Sequence, residues 1–133
     1  MLSALWFRIV CVALAGALGA LARWGTGQLV ERMATRNWPL GTLAVNALGC
    51  LLFGAVMGYL KPEQSQQPGY VVLRLTLLTG FCGAYTTYST FAFDVYELWL
   101  SRGAGAALGN IAAQLVVGLL AVALGVGMGR VLG

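Results

Sequence analysis

Six consecutive residues with side-chain hydroxyl groups lie in the stretch TGFCGAYTTYSTFAFD (79–94). They are Tyr85, Thr86, Thr87, Tyr88, Ser89 and Thr90. Gly80, Gly83 and the β-branched pair Thr86–Thr87 weaken a helix, so the stretch predicts a helical break. At membrane depth, backbone freed by such a break must be buried in protein or line a cavity. Freed carbonyls would suit a small bare cation, whereas hydroxyl and N–H groups would suit an anion.

Aromatic residues recur every three positions in the same stretch, at Tyr85, Tyr88 and Phe91. This spacing places them roughly along one helical face. Ring edges carry partial positive charge, so such a stripe can face an anion without any formal charge. Simple packing or contact with lipid is the alternative, and the polar neighbours favour the anion.

Carboxamides occur in two other apolar segments. Asn46 stands alone in the middle of the uncharged run 37–60, and Asn110 and Gln114 lie four residues apart in the run 103–129. A buried amide needs hydrogen-bond partners, so these residues indicate either polar contacts between helices or a pathway for a small ion. They do not fit a proton relay, which needs a titrating carboxylate or histidine inside the membrane.

The composition excludes several classes of function. Only 9% of the 133 residues are charged, none is histidine, and the acidic residues are Glu31, Glu63, Asp94 and Glu97. We therefore expect no enzymatic activity. The net charge of +4 comes from scattered residues, so it indicates no nucleic-acid partner. The three cysteines fall inside apolar segments and are interpreted as packing residues rather than a disulfide framework.

Four uncharged runs predict an all-α integral membrane protein. They cover residues 9–22, 37–60, 75–93 and 103–129, and a helix needs roughly 20 apolar residues to cross the hydrocarbon core. We predict one domain over 1–133 with transmembrane spans near 2–24, 39–60, 70–99 and 103–130. The segment KPEQSQQPG (61–69) is predicted to be a loop. A cleavable signal peptide is the alternative for the first run.

The basic residues give no direction of insertion. Four of them, Arg8, Lys61, Arg74 and Arg130, would lie on one side, and four, Arg23, Arg32, Arg36 and Arg102, on the other. Topology follows the asymmetry of Lys and Arg. A tie predicts either insertion in both orientations, with pairing as an antiparallel dimer, or one orientation set by a few charges. Glycine pairs four residues apart (54/58, 105/109 and 125/129) predict close helix packing, mostly within one chain.

Three segments together resemble the bacterial fluoride channel family of the Fluc/CrcB type. They are GALGALARW (16–24), GTLAVN (41–46) and GFCGAYTTYSTF (80–91), and the resemblance covers nearly the whole chain in order and length. It implies a passive, fluoride-selective channel that exports fluoride across the bacterial cytoplasmic (inner) membrane. It also implies a dual-topology, antiparallel homodimer of four-helix subunits, with the third helix broken mid-membrane.

The resemblance also implies roles for individual residues. The fluoride pore would be lined by Arg23, Asn46, Tyr88, Ser89, Thr90, Phe91, Asn110 and Gln114. The backbone carbonyls of Gly83 and Thr86 would hold a structural sodium ion at the dimer centre. This chain departs from the family pattern at Ala84 (usually glycine), at Tyr88 (usually phenylalanine), and at Asn110 and Gln114 (often tyrosine and serine).

Two other functions are compatible with a small four-helix membrane protein. A proton-coupled multidrug transporter can also be four-helical and dual-topology, but it needs a carboxylate in its first helix, and none lies between Leu2 and Ala22. A membrane assembly or scaffold subunit is the third alternative, and it predicts no ion flux.

Overall fold

The computed structural model describes residues 2–34, 38–60 and 66–133. Within these ranges the chain is helical and contains no strand. The segments are α1 (Leu2–Met33), α2 (Leu40–Tyr59), α3 (Pro68–Arg74), a π-helical segment π1 (Leu75–Cys82), α4 (Gly83–Tyr85), α5 (Tyr88–Arg102) and α6 (Ala104–Leu132). The predicted all-α fold is therefore confirmed.

Three of these helices are long and apolar enough to cross a membrane. They are α1, α2 and α6, with 32, 20 and 29 residues. At 1.5 Å per residue they are roughly 48, 30 and 43 Å long, against about 30 Å of hydrocarbon. Much of their apolar surface is exposed, and only Ala15 and Gly19 are buried in α1. These features are those of a multi-pass membrane protein, whose apolar side chains face lipid.

Helix bounds can be compared with the predicted spans. Helix α1 continues past Trp24 to Met33, so part of the predicted polar connection 31–39 is helical. Residues 35–37 of that connection and residues 61–65 of the predicted loop lie outside the described residues. Gln66 and Gln67 are non-helical, and Pro68 opens α3 at a position where its missing N–H is harmless.

Helices α2 and α6 pack against each other in parallel. A Cβ atom on Gly54 or Gly58 would meet the carbonyl oxygen of Val122 or Val126, respectively. Both pairs, 54–122 and 58–126, have the same offset of 68 residues. A constant offset requires parallel directions, so residues 68–102 must return the chain across the membrane between α2 and α6.

The glycine pairs differ in what they do. Gly125 and Gly129 lie against the α2 backbone near Leu51 and Ala55, so they and Gly54/Gly58 provide the close packing of α2 on α6. A Cβ atom on Gly105 would meet nothing within 4 Å, and one on Gly109 would meet only the Trp38 ring at 3.6 Å. The pair 105/109 therefore takes no part in packing α2 on α6.

Residues 68–102, which we call the returning segment, pack against α1 in their first part and against α6 in their last part. Its π1 and α4 parts pack on α1, where Gly19 lies against the Phe81 backbone and Gly80 against Ala15. Its α5 part packs on α6. The junction between α4 and α5 consequently lies where the returning segment meets α1, α2 and α6.

Candidate functional site

The returning segment is interrupted at two residues, Thr86 and Thr87. Thr86 has φ −78° and ψ 159°, and Thr87 has φ −145° and ψ 117°, both extended conformations between α4 and α5. The sequence predicted a break here, and the residues that break the helix are the threonines. Gly83 is helical at φ −62° and ψ −35°, and Gly80 lies inside π1, where its missing side chain lets α1 approach.

Asn46 of α2 pairs with the backbone of Thr87. The Thr87 N–H donates to Asn46 Oδ1 over 2.8 Å, and Asn46 Nδ2 donates to the Thr87 carbonyl oxygen over 3.1 Å. The carboxamide therefore satisfies both the N–H and the carbonyl of Thr87, which would be costly to leave unpaired at membrane depth. Asn46 Nδ2 also donates to Gln114 Oε1 of α6 over 3.2 Å. One side chain thus joins α2, α6 and the break.

The Thr87 side chain caps the helix that follows. Its Oγ1 accepts from the Thr90 N–H over 3.2 Å and donates to Thr90 Oγ1 over 2.9 Å. Ser89 Oγ lies 3.4 Å from the same atom. Threonine at this position satisfies one of the orphan N–H groups of α5 and fixes where the helix begins.

The Thr87 cap and the Asn46–Thr87 pair leave the backbone carbonyl oxygens of Gly83 and Thr86 without their usual helical donors. In an uninterrupted α-helix, the Gly83 carbonyl would accept from the Thr87 N–H, and the Thr86 carbonyl from the Thr90 N–H. Those N–H groups donate to Asn46 Oδ1 and Thr87 Oγ1 instead. The two carbonyls are hard oxygen donors without their α-helical bonds, which is the donor chemistry that a sodium ion would use.

A groove of about 460 Å³ opens beside the break. Its polar lining comes from the two amides and the threonines, and the rest is aromatic or apolar: Asn46, Gly49, Cys50, Phe53, Leu78, Cys82, Gly83, Thr86, Thr87, Tyr88, Phe91, Gln114, Leu115, Gly118 and Val122. The Tyr88 and Phe91 rings meet edge to face, with centroids 5.8 Å apart and planes at 64°. None of the described residues that line the groove is charged, so an ion in it would be held by dipoles and ring edges.

The structure thus brings six of the predicted site residues to this groove. They are Asn46, Gly83, Thr86, Tyr88, Phe91 and Gln114. Ser89 and Thr90 lie on the first turn of α5, in hydrogen-bond contact with Thr87. Tyr88 is 80% exposed in the single chain, so its ring is available to contacts from outside.

Sequence comparison identifies the family. The profile described as "CrcB-like protein, Camphor Resistance (CrcB)" matches residues 10–126. The chain belongs to the CrcB family. It is 48% identical over 124 residues to a protein of Nitratidesulfovibrio vulgaris (strain Miyazaki F), covering 92% of this chain and 97% of that protein. It is 42% identical to proteins of Acidobacterium capsulatum (over 120 residues, 90% and 93% covered) and Paracoccus denitrificans (over 119 residues, 90% and 91% covered). All three relatives are named "Fluoride-specific ion channel FluC".

Two predicted site residues of this CrcB-family chain lie apart from the groove. Arg23 is a partly exposed residue of α1 and does not line the groove. Asn110 is fully buried on α6, one turn before Gln114, and neither of its side-chain polar atoms has a partner in the described part of the chain. Its position extends the polar face of α6 beyond the groove.

Sequence reasoning missed a half-buried carboxylate on α5, one of whose oxygens is enclosed. Asp94 lies beside Thr42 of α2, and its Oδ2 atom is buried without a partner among the described residues. In the sequence, Asp94 only marks the end of the uncharged run 75–93. Its enclosure depends on α2 and α6 packing against α5, which no local pattern encodes.

Proposed function

We propose that the protein is a fluoride-selective ion channel that lets a bacterial cell lose fluoride passively across its cytoplasmic membrane. The observation that carries the proposal is the uncharged groove beside the break, where amides, hydroxyls and ring edges come together. The relatives named as fluoride-specific channels, at up to 48% identity over most of the chain, support it.

Fluoride is small and holds its water tightly, so a pathway for it must replace that water with hydrogen-bond donors and positive dipoles. The hydrogen-bonded hydroxyls of Thr87 and Thr90 at the start of α5 leave one such donor available. The Thr87 hydrogen goes to Thr90 Oγ1, which leaves the Thr90 hydroxyl hydrogen free to point outward, where Thr90 is exposed. The Tyr88 and Phe91 rings offer their edges nearby.

The functional unit in this proposal is an antiparallel homodimer with two pores. Tyr88, Ser89 and Thr90 are exposed in a single chain, and the groove they border is open on one side. A second copy would close it. The equal division of arginine and lysine between the two sides supports insertion in both orientations.

A structural sodium ion at the dimer centre belongs to the same proposal. Gly83 and Thr86 would hold it through their backbone carbonyls, which lack their α-helical donors. The positive charge would lower the electrostatic penalty of placing an anion in a medium of low dielectric. In this role the sodium ion organises the assembly and does not move with fluoride.

A proton-coupled multidrug transporter is the competing function. Such a protein would need a membrane-embedded carboxylate in α1, where Glu31 is exposed near the C-terminal end of the helix. Asp94 lies instead on α5, half-buried, so the described acidic residues do not supply that arrangement.

A fluoride electrode on proteoliposomes separates the candidate functions. The channel predicts efflux of fluoride when a counter-ion pathway is opened, in the absence of any pH gradient, and no comparable efflux of chloride. A transporter of organic cations, or a scaffold subunit, predicts that the vesicles retain their fluoride.

A further inference from the structure

The orientation of the Asn46 carboxamide is fixed by the break. The Thr87 N–H needs an acceptor and the Thr87 carbonyl needs a donor, so only one of the two amide orientations satisfies both. Oδ1 faces the N–H, and Nδ2 faces the carbonyl. The second hydrogen on Nδ2 consequently points away from Thr87, towards α6.

That second hydrogen in turn fixes Gln114. Asn46 Nδ2 can only donate, so the Gln114 carboxamide must present its oxygen, and Oε1 accepts over 3.2 Å. The Gln114 side chain is more than nine-tenths buried, and its Nε2 atom then has no partner in the described part of the chain. An unpaired buried donor is rare and costly, which marks Gln114 as unsatisfied in this arrangement.

In this arrangement neither N–H of the Asn46 carboxamide is free to bind an ion. One hydrogen of Nδ2 is on the Thr87 carbonyl and the other is on Gln114, although both amides line the groove. For Asn46 to donate to an anion without releasing the break, it must give up the bond to Gln114. Gln114 is therefore the partner that competes with the anion.

We propose that fluoride takes the Asn46 N–H from Gln114, and that the Gln114 carboxamide turns over to donate its Nε2–H to the same ion. This inference rests on the proposed fluoride channel function and adds a resting state and an ion-bound state to it. At rest the two amides pair with each other. With the ion they form a site with two N–H donors, while the Asn46–Thr87 pair stays intact.

The turn of the Gln114 carboxamide itself needs little rearrangement, and the groove that both amides line provides the space for the ion. The terminal torsion of glutamine is broad and nearly two-fold, and NH₂ and oxygen are similar in size, so the turn needs almost no new volume. After the turn the buried unpaired atom is an oxygen instead of an N–H, which proteins tolerate better. Hydrogen bonds to an ionised acceptor are also stronger than the neutral amide pair that they replace.

The test is side-chain amide NMR on the full-length protein in nanodiscs during a fluoride titration. Gln114 is left as the only glutamine when Gln28, Gln64, Gln66 and Gln67 are replaced by serine, and ¹⁵N-glutamine then labels it alone. A second sample, labelled with ¹⁵N-asparagine, has its Asn46 signal identified by its loss in Asn46→Asp. We expect the Asn46 Nδ2 and Gln114 Nε2 signals to move with the same fluoride dependence and to ignore chloride.

A flux measurement accompanies the titration. Gln114→Met keeps the length of the side chain and removes both the N–H donor and the oxygen that competes for Asn46. Because a hydrogen bond to an ionised acceptor is stronger than the neutral amide pair, the lost donor dominates, and we expect fluoride efflux to fall by roughly tenfold, which a loss of about 1.4 kcal/mol produces. The matched control Gln28→Met, at an exposed position of α1, should behave like the parent. A protein that passes fluoride while its Gln114 signal stays fixed overturns the inference alone. A parent protein that passes no fluoride overturns the proposed function itself.

Discussion

The hydroxyl of Tyr85 donates to the hydroxyl of Thr26 over 3.0 Å, which ties the last helical turn before the break to α1. Tyr85 is only 4% exposed, and its ring stacks on Phe81 with centroids 5.7 Å apart. On the other side of the break, Asn46 holds Thr87 to α2. The two extended residues are therefore fixed from both ends by side chains of other helices.

This relationship predicts a coupling between Tyr85 and Thr26. Tyr85→Phe and Thr26→Val each remove one hydroxyl and should each lower the free energy of unfolding by about 1 kcal/mol. The double variant should lose clearly less than the sum, because the second change removes a bond that is already broken. Denaturant unfolding in detergent measures this, with the exposed Tyr96→Phe as a neutral control. Strictly additive losses would mean that the bond contributes nothing.

The close packing of α2 on α6 predicts a strong position effect among the glycines. Gly54→Ala would place a Cβ atom against the Val122 carbonyl, whose carbon is 3.1 Å away, so the backbones must separate. We expect a loss of roughly 1–3 kcal/mol, as for other overpacked sites. Gly105→Ala meets nothing and should be neutral or slightly stabilising. The midpoint of thermal unfolding in detergent compares the two, and equal midpoints would contradict the close packing of α2 on α6 at Gly54.

The proposed sodium site predicts different tolerance at Gly83 and Thr86. A Cβ atom on Gly83 would meet only the Leu78 carbonyl oxygen at 3.5 Å, so one chain alone has room for a side chain there. Gly83→Val should nevertheless reduce the dimer fraction strongly, because a second subunit must approach this carbonyl. Thr86→Val keeps the carbonyl and loses only the hydroxyl bond to the Cys82 oxygen (3.0 Å), so its effect should be milder.

The dimer fraction of both variants can be followed by cross-linking in sodium and in N-methylglucamine buffers. The parent and Thr86→Val should form more dimer in sodium, and Gly83→Val should not respond. If both variants assemble like the parent in either buffer, there is no backbone cation site between subunits.

The even charge distribution predicts dual topology. A single cysteine at Gln66, in a chain whose Cys11, Cys50 and Cys82 are replaced, should react with a membrane-impermeant maleimide from both faces of the membrane. Gln66 is exposed, so access by the reagent does not limit the experiment. Labelling from one face only would rule out the antiparallel dimer.

Much of this architecture could be predicted from sequence because membrane crossing depends on local composition. The apolar runs locate α1, α2 and α6, and the spacing of Gly54/Gly58 and Gly125/Gly129 indicates close packing. The sequence could not show which glycine pairs face each other, because that depends on the register of α2 on α6. The spacing alone therefore could not distinguish the pair Gly105/Gly109 from the two pairs that pack α2 on α6.

The site was predictable in its residue types and less so in its contacts. Glycines permit a break without requiring one: Gly80 and Gly83 both remain helical, and the missing side chain of Gly80 serves instead to let α1 approach. The break falls at Thr86–Thr87, where Asn46, 41 residues away, supplies the missing partners. Asn46 was predicted as a pore residue. Its pairing with Gln114 depends on the 68-residue register between α2 and α6, which only the fold shows.

Fluoride efflux from proteoliposomes, recorded with a fluoride electrode for Phe91→Ile and Phe93→Ile beside the parent, tests the central claim most directly. Phe91 lines the groove, where its ring and that of Tyr88 meet edge to face, whereas Phe93 is exposed on α5 and does not line it. Both changes keep apolar bulk and remove a ring. We expect the parent and Phe93→Ile to pass fluoride at similar rates and Phe91→Ile, purified as an intact assembly, to be slower by about tenfold, equivalent to ~1.4 kcal/mol. Parent vesicles that retain their fluoride, or equal rates for Phe91→Ile and Phe93→Ile, would contradict a fluoride pathway along this groove.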